Sequence, residues 1–239
     1  MPRKLKISKT HTPEFNRAEQ FIYYVIQSGF NVFVCSEDVE DAVKLSSKIL
    51  SASSFATKNA KVVSGIETFN KLFRSKKVIR ESEFVREKGK NRFYSFIDLQ
   101  TCDGLHKVLE LGKSVNVSML YAAQAIGSGK FIDSLISKLN SDIDSNSLNN
   151  HMIKSTINYY VEVIKNNIGE PVIESIKEFR FNIRTGKWEE VLIFKYGSLS
   201  ESYVCIELPT KVTLMDMWHN LGNDKEEFRR FILEDMLIM

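Results

Sequence analysis

Four carboxylates crowd the place where an apolar run gives way to a helical pattern: Glu37, Asp38, Glu40 and Asp41 follow Asn31–Cys35. A turn from strand to helix is where α/β proteins hold phosphates. The chemistry there requires G-x-x-x-x-G-K-[ST], with glycines that let backbone N–H groups face the phosphates, a lysine for the β- and γ-phosphates and a hydroxyl for Mg²⁺. The segment from Ser36 to Ser46 has no glycine, and Lys44 stands two positions beyond the place of the cradle lysine. A triphosphate here would meet several like charges, each pair repelling by about 1 to 4 kcal/mol at a surface-like dielectric. The acids read as the first turn of a helix, whose dipole favours them. The competing reading is a cation site built from the same four residues.

Other chemistry-bearing residues are isolated. Asp98 ends an apolar run and is followed by Leu99-Gln100, with Asp103 the next acid; Leu120-Tyr121 ends another run without an imidazole. Cys35 and Cys102 each follow a strand pattern but lack the tight glycine elbow and the His/Asp set of a nucleophile. With Cys205 they make an odd, dispersed set that suits neither a disulfide framework nor a zinc knuckle. His11, His106, His151 and His219 have no second ligand at metal-binding spacing. No catalytic residue, cofactor or metal is expected. Nine lysines and arginines lie between Lys71 and Arg92 against Glu81, Glu83 and Glu87. That stretch reads as a solvated excursion between strands, with a basic arm for nucleic acid as the alternative.

The elements that must position these residues alternate. Phe15, Ala18, Phe21, Ile22, Val25 and Ile26 recur at helical spacing, with Thr12 and Pro13 as start signals and Gly29 as the stop. Strand patterns follow at Asn31–Cys35, Lys61–Ser64, Phe93–Leu99 and Val115–Tyr121. Helical ones begin near Val39 and span Ile66–Phe73, Leu105–Leu111 and Phe131–Leu139. Repeated β-α-β predicts an α/β fold with a mostly parallel sheet flanked by helices. After Leu139 the polar stretch SDIDSNSLNN (141–150) reads as a linker. Strand patterns then fall at Tyr159–Ile164, Val172–Ile183, Trp188–Tyr196 and Tyr203–Leu208, with Arg184–Lys187 as a hairpin turn: a small antiparallel unit. Two helices close the chain, one opening at Thr213–Asp216, the other at Asn223–Glu226. The expected organisation is a core over 1–140, a linker over 141–150, and a β unit with a helix pair over 151–239. The pair is rich in apolar residues (Met215, Met217, Trp218, Phe228, Phe231, Ile232, Met236, Leu237), expected to close over the β unit or to dock on another protein.

The run from Asp98 to Leu139 resembles the motor domain of the type II/type IV secretion ATPases. In that family a strand ends in an acidic turn, a helix ends in Thr-Gly-His, and a strand, a His box and a helix with an Ile-Asp-Arg-Leu-like run follow. Here Asp98 ends the strand, Leu111-Gly112-Lys113 stands for Thr-Gly-His, and Ile132-Asp133-Ser134-Leu135 is similar to the last run. The later GEPVIESIKEFRFN is similar to the family's β segment after the linker. The resemblance implies a P-loop-NTPase-like core. The P-loop, the acid after the Walker B strand and the His box are all replaced, so what is implied is a pseudo-ATPase. It is expected to be a structural or adaptor component of a secretion or pilus machine at the cytoplasmic face, with other machine proteins as partners and no homohexamer. A working ATPase using Lys44 and Asp98, and a nucleic-acid module using 71–92, are the alternatives.

Overall fold

The computed structural model describes residues 15–52, 60–66, 77–84, 93–114, 117–139 and 151–237. Its strands are β1 (Val32–Ser36), β2 (Ala60–Ser64), β3 (Lys77–Arg80), β4 (Phe93–Ile97), β5 (Ser118–Gln124), β6 (Tyr159–Lys165), β7 (Pro171–Asn182), β8 (Lys187–Gly197) and β9 (Ser202–Cys205). Among the described residues they form one sheet in the order β3-β2-β4-β5-β1-β6-β7-β8-β9. Pairing is parallel from β3 through β6 and antiparallel from β6 to β9. The α/β fold with its parallel sheet and following antiparallel strands is as the alternation of patterns predicts.

β1 is an apolar run because both its faces are covered. Val32 and Val34 join the core shared with α1 (Arg17–Gln27) and α2 (Val39–Ala52), whereas Phe33 and Cys35 join the core on the opposite face with α4 (Cys102–Gly112) and α5 (Ser128–Lys138). On α1 the buried Phe21, Ile22, Val25 and Ile26 make the stripe that docks it, each worth about 1.5–3 kcal/mol of burial. Phe21 packs edge-on against Tyr159 of β6, with centroids 5.5 Å apart.

Several element boundaries differ from the expected ones. α1 begins at Arg17 and is capped by Asn16, whose side chain accepts from the Glu19 amide while Glu19 returns the bond; Thr12 and Pro13 lie outside the described residues. β5 runs on to Gln124 because its ladder with β1 continues to Ser36↔Gln124. The helix expected at Thr213 starts at Lys211 (α6, Lys211–Asn220), because Thr210 caps it by accepting from the Thr213 amide. The last helix, α7 (Lys225–Phe231), continues into a wider turn over Ile232–Met236. Within the basic stretch, β3 and the short α3 (Glu81–Phe84) were not expected; residues 71–76 and 85–92 lie outside the described residues, as do 67–73 of the expected helix and the polar stretch 141–150. Tyr159–Ile164, expected to open the antiparallel unit, is parallel to β1 on one side and antiparallel to β7 on the other. The sheet is therefore continuous between the two halves.

Candidate functional site

β1 lies at the switch point of the sheet. The chain leaves it through α2 toward β2 on one side, while β6 adds on the other. In such sheets ligands sit in the crevice outside the carboxyl ends of the strands at this point. A cavity of about 260 Å³ opens there, lined by Ser36, Glu37, Asp38, Asp41, Glu162 and Lys165 among others. Its ionisable lining is five carboxylates, with Glu174 the fifth, against the one ammonium of Lys165.

The connection from β1 to α2 is two residues, Glu37 and Asp38. No phosphate-wrapping loop is present between them: the helix begins at once. Asp38 occupies the helix start itself, its Oδ1 accepting from the Glu40 amide at 3.0 Å and its carbonyl accepting from the Asp41 amide at 3.0 Å. Glu40 points outward toward Lys44, 4.0 Å away. Asp41 is buried and ion-paired to Lys44 at 3.7 Å and to Lys165 at 3.2 Å. The four acids are thus brought to one helix start, as the sequence predicts; Asp38 and Asp41 share Lys165, and Glu40 and Asp41 share Lys44. Among the described residues no group of His, Cys, Asp and Glu has the arrangement of a metal centre.

Two further helix starts at this edge are filled in the same way. Glu81 of α3 is buried and accepts from the amides of Gln100 (3.0 Å) and Thr101 (2.7 Å) and from the Thr101 hydroxyl, at the start of α4. Glu162 of β6 accepts from the amide of Gly127 (2.8 Å), the residue that caps α5 with φ +75°. The next residue, Ser128, donates to Glu190 at 2.6 Å, and Lys177 lies 3.4 Å from that carboxylate. At each of these starts one or two backbone amides are bonded to the chain's own carboxylates, which sets negative charge where an anion would otherwise bind.

Asp98 follows β4 with φ +23° and is ion-paired to Lys138 of α5, which also donates to the Leu99 carbonyl at 3.2 Å. Gly65, after β2, is required beside this turn: a Cβ there would stand 2.8 Å from the Asp98 carbonyl oxygen. Asp98 and Lys44 therefore hold separate partners. Tyr121 is buried, and burial pushes its phenol far above the ordinary value. Burial likewise raises the Cys35 thiol well away from thiolate, while the Cys102 thiol donates to the Leu139 carbonyl at 3.2 Å. Asp103 lies in the first turn of α4. Trp188 packs beside Phe181 and His151, with centroids 5.4 and 5.9 Å away. Lys165, Glu162, Glu81 and Lys138, which complete the site, carry no sequence signal of their own.

No protein-family model matches the chain, and neither does any curated protein. Among solved structures it is similar to the VirB11 ATPase of the Brucella suis type IV secretion system, determined in complex with sulphate. The identity is 11% and the TM-score 0.55, over 67% of this chain and 52% of that one. The DotB ATPases of Yersinia pseudotuberculosis (9%, TM-score 0.46, 71% and 49% covered) and Legionella pneumophila (12%, 0.47, 97% and 58%) superpose less closely and add nothing to the comparison. The chain spans about half the length of these structures. No helix among the described residues is long and apolar enough to cross a membrane. The chain has the α/β fold of the VirB11-type secretion ATPase.

Proposed function

We propose that the chain is a non-catalytic structural or adaptor component of a type IV secretion or pilus-type machine. It acts at the cytoplasmic face, is recruited to the inner membrane through unlike partners, and binds no nucleotide. The fold likeness supports the secretion setting. The loss of the motor is carried by one observation: Asp38, Glu81 and Glu162 occupy the starts of α2, α4 and α5, where an anionic ligand would bind. Displacing a carboxylate from such a position exposes it to a triphosphate of the same sign, and the two-residue connection is too short to wrap a phosphate. Lys44 and Asp98 are each ion-paired to another residue, which speaks against an unorthodox catalytic pair. The test is calorimetric titration of the purified chain with ATP and Mg²⁺, together with phosphate release. The expected result is no hydrolysis and a Kd weaker than about 1 mM. Micromolar binding or measurable turnover overturns the reading.

A further inference from the structure

α6 carries two apolar stripes where one would hold it in place. Met217 and Leu221 are buried and Leu214 is partly buried against the core, whereas Met215 and Trp218 are 51% and 39% exposed on the outside of the helix. α7 and its continuation supply the facing wall, with Phe228, Ile232 and the 50% exposed Leu233. Between the two helices lies an open groove of about 390 Å³. Tryptophan and methionine gathered on one exposed patch are the composition of a protein interface, not of a solvated face.

No carboxylate lines the groove itself. Its ionisable lining is Lys211, His219 and Arg229, and Lys225 places its ammonium 4.6 Å from the centre of the Trp218 ring. The carboxylates of α7 that could balance these lie elsewhere: Glu227, Glu234 and Asp235 line a separate cleft with Arg230, facing Gln20 and Tyr24 of α1. Glu226 lies 3.8 Å from Arg229, but both are mostly exposed and such a pair is worth little. An apolar trough between two helices, edged by cations, is the shape that takes an amphipathic helix with acidic flanks.

We propose that the α6–α7 groove receives an acidic amphipathic helix from a partner protein, its aliphatic or aromatic residues seated on Met215 and Trp218 and its carboxylates set against Lys211 and Arg229. This names the docking surface of the adaptor and rests on that reading for its setting. A second copy of the chain is a poorer occupant, because two like-charged grooves would face one another. A lipid surface is poorer too, since a flat bilayer cannot enter a trough.

The experiment uses the full chain and a designed peptide of about 18 residues, long enough to hold a helix, with leucines at i, i+4 and i+7 and glutamates elsewhere. A counterpart carries lysines in place of the glutamates. The acidic peptide is expected to bind at least about tenfold tighter than the basic one, to weaken with salt, and to lose about tenfold in Met215→Ala or Trp218→Ala. In Lys211→Glu/Arg229→Glu the preference reverses, a result that unfolding cannot produce. Equal affinity for the two peptides overturns the proposal. So does a mass of twice 27.5 kDa that Met215→Glu returns to the monomer, or binding to phosphatidylglycerol vesicles without binding to the acidic peptide. ATP titrated into the same sample separates the two claims: peptide preference together with nucleotide binding keeps the groove and removes the adaptor reading.

Discussion

The ammonium of Lys165 stands 3.2 Å from the Asp41 carboxylate, reaching from the end of β6 across to the first turn of α2. Asp41 is 3% exposed in its side chain, and its Oδ1 has no hydrogen-bond partner. A buried charge in that state depends on the cations beside it, here Lys165 and Lys44.

Lys165→Met should therefore lower stability, and Asp41→Asn in the same protein should recover part of the loss. Urea unfolding of the two single variants and the double variant measures that coupling. Hydrogen bonding to Asp41, then its charge, raises the Lys165 pKa above the ordinary lysine value. A raised pKa stabilises the fold wherever the unfolded chain still binds the proton, so the contribution is complete below about pH 10.4 and is lost as pH climbs through the raised value. The difference in midpoint between wild type and Lys165→Met should stay constant across neutral pH and shrink only in strong base. A difference that vanishes in mild acid would contradict the assignment.

Glu81 and Gly104 form a second coupled pair. The glutamate lies so close to the start of α4 that a Cβ on Gly104 would meet its Oε1 at 2.5 Å. Glu81→Ala leaves the amides of Gln100 and Thr101 without their acceptor, a cost of about 1–3 kcal/mol for buried donors. Gly104→Ala should destabilise by pushing the carboxylate away. The two losses should add to less than their sum when combined, because the alanine at 104 has nothing left to clash with. Thermal unfolding of the three variants checks this.

How much of this was legible in the sequence follows from the physics of each part. The central strands were readable because strands buried on both faces are plain apolar runs, as in Val32–Ser36. The end of β5 was not: Ala122 and Ala123 have no strand preference, and it is the ladder to Val34 and Cys35 of β1, with Ile97 of β4 beside Ala122, that holds them. β3 was missed because Lys77 and Arg80 leave just two apolar residues between them, a pattern typical of a short edge strand. At the site, the cluster Glu37–Asp41 was visible because it is local. The other residues of that edge, Glu81, Lys138, Glu162 and Lys165, were not, since the sheet order alone brings them together.

Asn31 shows the same limit in the interior. It reads as the first residue of a strand, yet its buried side chain ties four segments together. Its amide nitrogen donates to the carbonyls of Gly112 and Thr156 at 2.9 Å each, and its oxygen accepts from the Met119 amide at 3.0 Å. Asn31→Leu should leave these three backbone groups unsatisfied and cost more than the roughly 1–3 kcal/mol of a single one. Asn31→Asp should cost as well, because a carboxylate cannot donate to the two carbonyls. Urea midpoints of both variants are the measurement. A loss below about 1 kcal/mol in Asn31→Leu would mean that the segments are held together by packing alone.

Assembly tests the loss of the motor from another direction. If the chain binds no nucleotide, no shared ligand draws a second subunit against the carboxyl edge of the sheet. Bringing another subunit against that edge would confine Glu37, Asp38, Glu162 and Glu174 in a lower dielectric with Lys165 as the nearby cation, and like charges in such a setting repel by several kcal/mol. The purified chain is therefore expected not to close into a six-membered ring, and to sediment near its own mass of 27.5 kDa at low protein concentration. Added ATP and Mg²⁺ should leave that mass unchanged. Neutralising the edge with Glu37→Gln, Asp38→Asn and Glu174→Gln together should be the change that permits self-association, if the acids are what prevents it. A sixfold mass for the unaltered chain would show that a ring forms without a nucleotide to bridge its subunits.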